Sequence, residues 1–142
     1  MKKILVIDDE PFVARLIGAA LDAAGIEHDL EYSSDGAQGK IMAAQAGFDL
    51  VTLDLQMPLM GGVEALKEMK QNPKSAGVPV VVVTAQQDPA FHQQLMDLGA
   101  AAVVTKPFDP ADLGDVLSRI LAGEEFVPDV GMPGSGLRPM GG

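Results

Sequence analysis

Three short runs along the chain, Ile4–Ile7, Leu50–Leu53 and Val78–Val83, are almost wholly apolar and rich in β-branched residues. Continuous apolar runs of that length fit strands buried on both faces, as in a parallel sheet covered by helices. Between them the period changes. Val13, Leu16, Ile17, Ala20 and Leu21 fall on the i, i+3, i+4, i+7, i+8 stripe of one helical face, and Leu113, Val116, Leu117, Ile120 and Leu121 repeat it. Glu10-Pro11, Asp88-Pro89 and Asp109-Pro110 each set an acid before a proline at a helix entrance, where proline suits the first turn. Gly25, Gly47 and Gly99 stand where helices should stop.

This pattern predicts strands near residues 3–8, 27–32, 49–54, 78–84 and 101–105, and helices near 11–24, 35–46, 62–72, 89–98 and 110–122. In the second strand Ile26, His28, Leu30 and Tyr32 alternate with acids, the mark of a half-exposed edge. Ala101–Val104 is short and suits the opposite edge. Repeated βα units with right-handed crossovers imply a three-layer, doubly wound α/β fold, (βα)5. Its five-stranded parallel sheet takes the flavodoxin-like order 2-1-3-4-5. That unit fills residues 1–122. Residues 123–142 are rich in Gly and Pro, have little to bury, and read as a disordered tail or linker.

In this order the strand sequence reverses between strands one and three, and ligands bind beyond the carboxyl ends of strands at such a reversal. Strand one ends in Asp8, Asp9 and Glu10, strand three in Asp54 and strand four in Thr84, and Lys106 follows strand five. Clustered carboxylates raise one another's pKa unless a cation offsets the charge. A hard divalent ion does so most simply, and Mg²⁺ takes one or two carboxylates while leaving room for phosphate oxygens. Lys106 adds a compact positive charge and Thr84 a hydroxyl donor, a pair suited to an anion with several oxygens. Asp54, central among these groups, is the natural nucleophile for a phosphoryl group.

Composition narrows the field further. Ten Lys and Arg against 20 Asp and Glu give a net charge of −10, and aromatic residues make up 4%. Such a chain is a poor direct binder of nucleic acid or of an anionic membrane. No basic patch or helix-turn-helix pattern is visible. The absence of Cys removes disulfides, thiolate metal sites and cysteine nucleophiles. No apolar run reaches the roughly 20 residues that span a bilayer, and the N-terminal run is too short for a signal peptide. A cytoplasmic location without membrane insertion is expected.

The motifs at the strand ends resemble the receiver domains of bacterial two-component response regulators, of the chemotaxis-regulator-like kind. They are Asp8-Asp9 after ILVI; Asp54 followed by Leu55-Gln56-Met57-Pro58 and Gly61-Gly62; Thr84-Ala85 after two valines; and Lys106-Pro107-Phe108. The resemblance covers residues 1 to about 122. It implies that Asp54 accepts phosphate, and that Mg²⁺ is held by the side chains of Asp9 and Asp54, the backbone carbonyl of Gln56, and Asp8 through water. Thr84, with Ala85 beside it, would serve the phosphate and the switch, and Lys106 would pair with the phosphate or with Asp54. A cis Lys106-Pro107 peptide is also implied. Gln86 lies where an amide could orient a water for dephosphorylation. Val103 departs from the family, in which many members carry Tyr or Phe three residues before the Lys.

The resemblance implies a sensor histidine kinase or phosphotransfer protein as phosphodonor, and a downstream protein at the helix 4–strand 5–helix 5 face. Homodimerisation is left open, as is whether the chain stands alone or is cut from a larger regulator. The chain would be a phosphoacceptor, not a conventional enzyme. A dehalogenase-type phosphatase needs a second acid two residues after the nucleophile, and position 56 is Gln. A receiver that binds partners without being phosphorylated is disfavoured by the intact acid–Thr–Lys set. Flavin or dinucleotide binding lacks a Gly-rich loop after strand one.

Each motif has a plainer reading. Asp8, Asp9 and Glu10 could simply cap helix one, Asp54 could be a turn residue, and Thr84 and Lys106 could be ordinary strand-end groups. All four readings must hold at once to displace the shared site. His28 and His92 read as structural residues without metal-ligand spacing. Met57, Met60 and Met69 read as core or loop filling, and Lys67, Lys70 and Lys74 as a solvated helical face and its exit.

Overall fold

A computed structural model describes residues 1–45, 47–56 and 61–124, together with the backbone of 126–128 and 137–139. Five βα units follow one another: β1 (Lys2–Ile7), α1 (Pro11–Ala23), β2 (His28–Ser33), α2 (Gly36–Gln45), β3 (Leu50–Asp54), α3 (Gly62–Gln71), β4 (Val80–Thr84), α4 (Pro89–Asp97), β5 (Ala102–Thr105) and α5 (Pro110–Leu121). The sheet is parallel, in the order β2-β1-β3-β4-β5, as the pattern of apolar runs predicts. Its central strands β3 and β4 are buried along their whole length. Edge strand β2 is half-buried at most of its positions.

Two apolar layers hold the helices to the sheet. On one face Ile4, Val6, Leu50, Val81 and Val104 meet Val13, Ile17 and Leu21 of α1 and Leu113, Leu117 and Ile120 of α5. On the other, Leu5, Ile7, Val51, Leu53, Val82 and Val103 meet Ala43 of α2, Leu66 and Met69 of α3, and Leu95 of α4. Burying such side chains stabilises by about 1.5–3 kcal/mol each before conformational entropy is counted.

The helix ends carry the local chemistry. Asp88 and Asp109 accept hydrogen bonds from Ala90 N (3.1 Å) and Ala111 N (2.8 Å), closing the N-termini of α4 and α5. Glu10, one methylene longer, makes no such side-chain cap for α1. Gly25 and Gly99 stop their helices with φ of 75° and 110°, and Gly123 does so after α5 at 91°. Gly47 stands after α2 without a positive φ.

Helices α1 and α5 approach closely because position 114 has no side chain. A Cβ built on Gly114 would lie 2.8 Å from the carbonyl oxygen of Ala20. Gly114→Ala is therefore expected to destabilise the fold by about 2 kcal/mol through overpacking. Gly77→Ala, where nothing lies within 4 Å, is the control. The denaturation midpoints of the two variants decide the matter, and equal midpoints would refute the close approach.

One expectation needs correction. Lys70 is not part of a solvated face. Its Nζ donates to the carbonyls of Ala76 (3.2 Å) and Val78 (2.7 Å), and burial lowers its pKa. Lys67 and Lys74 are exposed, as expected. Beyond α5, β6 (Phe126–Pro128) pairs antiparallel with β7 (Leu137–Pro139), and β6 lies against α4 and β5. Local composition is blind to pairing between strands separated by a Gly- and Pro-rich stretch. Among the described residues no helix is long and apolar enough to cross a membrane.

Candidate functional site

Parallel register brings the acids together. Ile7 pairs with Leu53, so the next residues, Asp8 and Asp54, leave neighbouring strands side by side. Asp54 in turn pairs with Val83, one residue before Thr84, and Thr84 pairs with Thr105. Carboxylate oxygens of Asp8, Asp9 and Asp54 lie within 4.8 Å of one another. Asp8 and Asp54 are 2% and 6% exposed, whereas Asp9 faces solvent.

Lys106 reaches into this cluster from beyond β5. Its backbone N–H donates to the Thr84 carbonyl at 2.7 Å, fixing the start of the reach. Its Nζ stands 3.3 Å from Asp8 Oδ2 and 3.7 Å from Asp54 Oδ1. Asp8 Oδ1 also accepts from Glu10 N at 2.9 Å, and Asp54 Oδ1 from Gln56 N at 3.4 Å. Burial raises the pKa of Asp54, and repulsion by Asp8 raises it further. Lys106 and the Gln56 amide pull the other way without cancelling the rise. Burial, and after it the charges of Asp8 and Asp9, raise the pKa of Tyr32 on β2.

The remaining candidates fall around this cluster in different ways. Thr84 is 3% exposed, and its hydroxyl accepts from Gln86 N at 3.1 Å. Ala85 is exposed beside it. The Lys106–Pro107 peptide is cis. Val103 is fully buried and packs in the same layer as Val82 and Leu95. Met57, Pro58 and Met60 lie outside the described residues.

Two residues matter more than their sequence context suggests. Gly62 opens α3, and a Cβ there would fall 2.4 Å from the backbone oxygen of Asp54. Its place in the Gly61-Gly62 pair was the available signal. His92 is 6% exposed on α4, and its Nε2 lies 2.6 Å from the Gln86 carbonyl. Nothing in the local sequence marks that contact.

A cluster of two buried acids and one exposed acid, only partly balanced by one ammonium, is suited to take up a cation and an anion with several oxygens. The comparisons with known proteins agree with that chemistry. Residues 4–118 match the family described as the response regulator receiver domain. The chain is 34% identical over 122 residues to the DNA-binding dual master transcriptional regulator RpaA of Synechocystis, covering 86% of this chain and 48% of that protein. It is also 34% identical over 122 residues to the response regulator ArlR of Staphylococcus saprophyticus, with 86% and 52% covered. It thus spans about half the length of these curated relatives. Chemotaxis response regulator CheY4 of Vibrio cholerae matches with a TM-score of 0.75 at 30% identity, over 84% of this chain and 98% of that one. The chain belongs to the response regulator receiver domains, the phosphorylation-activated switches of two-component signalling.

Proposed function

We propose that Asp54 is the phosphoacceptor of this receiver and that a sensor histidine kinase or a phosphotransfer protein supplies the phosphoryl group. The observation that carries the reading is the buried Asp54 carboxylate, which shares the Lys106 ammonium with the Asp8 carboxylate. In transfer, an Asp54 oxygen attacks phosphorus, the P–N bond of the donor's phosphohistidine breaks, and the donor imidazole leaves. Lys106 balances charge on the incoming oxygens. The Thr84 hydroxyl accepts from Gln86 N–H through a lone pair, so its proton serves as donor to a phosphoryl oxygen.

Receiver domains bind Mg²⁺ in their acidic site, and the donor set here fits that ion. Asp8, Asp9 and Asp54 offer hard oxygen atoms within 4.8 Å of one another, and Asp54 retains an uncompensated electrostatic cost. Asp9 and Asp54 would hold it by side chain, Gln56 by its carbonyl and Asp8 through water. When bound, the ion neutralises charge on the phosphoryl oxygens. Water later hydrolyses the aspartyl phosphate, with Gln86 near its path, so the chain turns over no external substrate. We infer a receiver unit of residues 1–122 with 123–142 outside it, a cytoplasmic setting, and a downstream protein at the α4–β5–α5 face. The acidic charge argues against direct nucleic-acid contact by this chain.

The test is intact-mass measurement after incubation with Mg²⁺ and acetyl phosphate. A phosphate-sized gain that maps to Asp54 is expected, and no gain would overturn the reading. Lys106→Met separates two roles of the same charge. Removing the ammonium leaves the acids more negative, so Mg²⁺ should bind more tightly, while phosphoryl uptake should slow by about tenfold. Titration with Mg²⁺ and the rate of mass gain read the two effects, and weaker Mg²⁺ binding would contradict the electrostatic account.

A further inference from the structure

We propose that His92 is a positioning residue that couples the Thr84 hydroxyl to helix α4. The inference rests on the phosphoacceptor reading of Asp54 and deepens it, because it names the route by which occupancy of the site reaches a helix. Gln86 is bonded at both of its backbone polar groups. Its N–H donates to Thr84 Oγ1 at 3.1 Å, and its carbonyl accepts from His92 Nε2 at 2.6 Å. A carbonyl can only accept, so Nε2 carries the proton. His92 is 6% exposed and sits inside α4, where its own N–H donates to the Asp88 carbonyl at 3.0 Å. One residue of loop thus joins the switch hydroxyl to a buried side chain on the helix.

The consequence is mechanical. When the Thr84 hydroxyl turns to donate to a phosphoryl oxygen, the oxygen that accepts from Gln86 N–H moves with it and pulls on the residue that also holds His92. A buried imidazole N–H without an acceptor is costly, so either α4 follows the Gln86 carbonyl or the bond is lost. Both outcomes change the environment of α4. Val103 does not offer this route, since it is aliphatic and fully buried at the start. His92 therefore supplies a polar link where the family's aromatic residue is missing, and in the resting form it holds the loop back.

The full chain labelled with ¹⁵N at histidine tests the link. His28→Gln identifies which of the two imidazole signals belongs to His92. In the resting protein the His92 Nε2 proton should be protected from exchange. On addition of Mg²⁺ and beryllofluoride, a phosphoryl mimic, the imidazole signal should move and that protection should fall, while ¹⁹F signals report occupancy independently. His92→Leu should accept phosphate from acetyl phosphate about fivefold faster, the factor that one net hydrogen bond is worth. His92→Gln keeps a donor and should stay within about twofold of wild type. Bound fluoride with an unmoved imidazole would overturn the coupling alone, as would equal rates for wild type and both variants. Absence of bound fluoride and of any mass gain at Asp54 would overturn the phosphoacceptor reading and the coupling with it.

Discussion

Asp54→Asn is expected to abolish phosphoryl uptake and, at the same time, to raise the melting temperature of the metal-free protein at neutral pH. The loss follows from chemistry, since a carboxamide is no nucleophile for phosphorus. The gain follows from the folded-state electrostatics. Burial and the Asp8 carboxylate raise the pKa of Asp54 above that of an unfolded aspartate. The folded protein therefore holds the Asp54 proton to higher pH than the unfolded chain does, and ionisation at neutral pH costs folding free energy. That cost is complete above the folded-state pKa and disappears as the pH falls through it to the ordinary carboxylate range. Asn removes it at every pH. The expected rise is roughly 3–5 °C at neutral pH, the shift that about 1 kcal/mol gives a domain of this size. It should shrink as the pH is lowered.

Calorimetry in a chelator across that pH range reads the effect, and an Asn variant no more stable than wild type would show that Lys106 and the Gln56 amide already compensate the acids. Mg²⁺ gives the complementary sign. A ligand that binds only the folded state stabilises it by about 2.7 kcal/mol at a hundredfold excess over its Kd. Wild type should gain more from the ion than Asp54→Asn does, because the variant lacks one carboxylate ligand.

The same residues show what a sequence can reveal of such a site. Strand order was legible because Ile4–Ile7 and Val80–Val83 are apolar on both faces, whereas His28–Ser33 alternates. Once the order is known, the parallel register places Asp8, Asp54 and Thr84 at one edge with no further information. Helical periodicity counts Lys70 as solvent-facing. Its ammonium instead caps two loop carbonyls that become its neighbours only after folding. His92 reads as structural because no metal-ligand spacing surrounds it, and its partner, a backbone carbonyl six residues earlier, carries no side-chain signature. The pairing of β6 with β7 was hidden for a related reason, since its two halves are separated in sequence by more residues than either strand contains. Contacts between a side chain and a distant backbone atom leave little trace in composition or period.

Gly62→Ala is expected to cost about 3 kcal/mol of stability and to slow phosphoryl uptake by about 100-fold. The methyl group has nowhere to go. It would stand 2.4 Å from the carbonyl oxygen of Asp54 and 2.4 Å from Cα of Leu55, both backbone atoms, and 2.9 Å from Leu55 Cδ2. A side chain could rotate aside, but a strand end cannot, so α3 must back away or the Asp54–Leu55 segment must bend. Backing away strains the hydrogen bond from Gly62 N to the Leu55 carbonyl (3.1 Å) and loosens Ala65, Leu66 and Met69 in the core. Bending moves the carboxylate that must meet phosphorus, and small misplacements of a reacting group carry large rate penalties. Gly61→Ala separates this from a general intolerance of the loop. Gly61 has φ −65° and ψ 154°, open to any residue, with nothing within 4 Å of its Cβ position. It should keep both the wild-type urea midpoint and the wild-type rate of mass gain. Equal effects of the two variants would mean that α3 is free to slide, and that the proximity of its first residue to Asp54 constrains neither the fold nor the site.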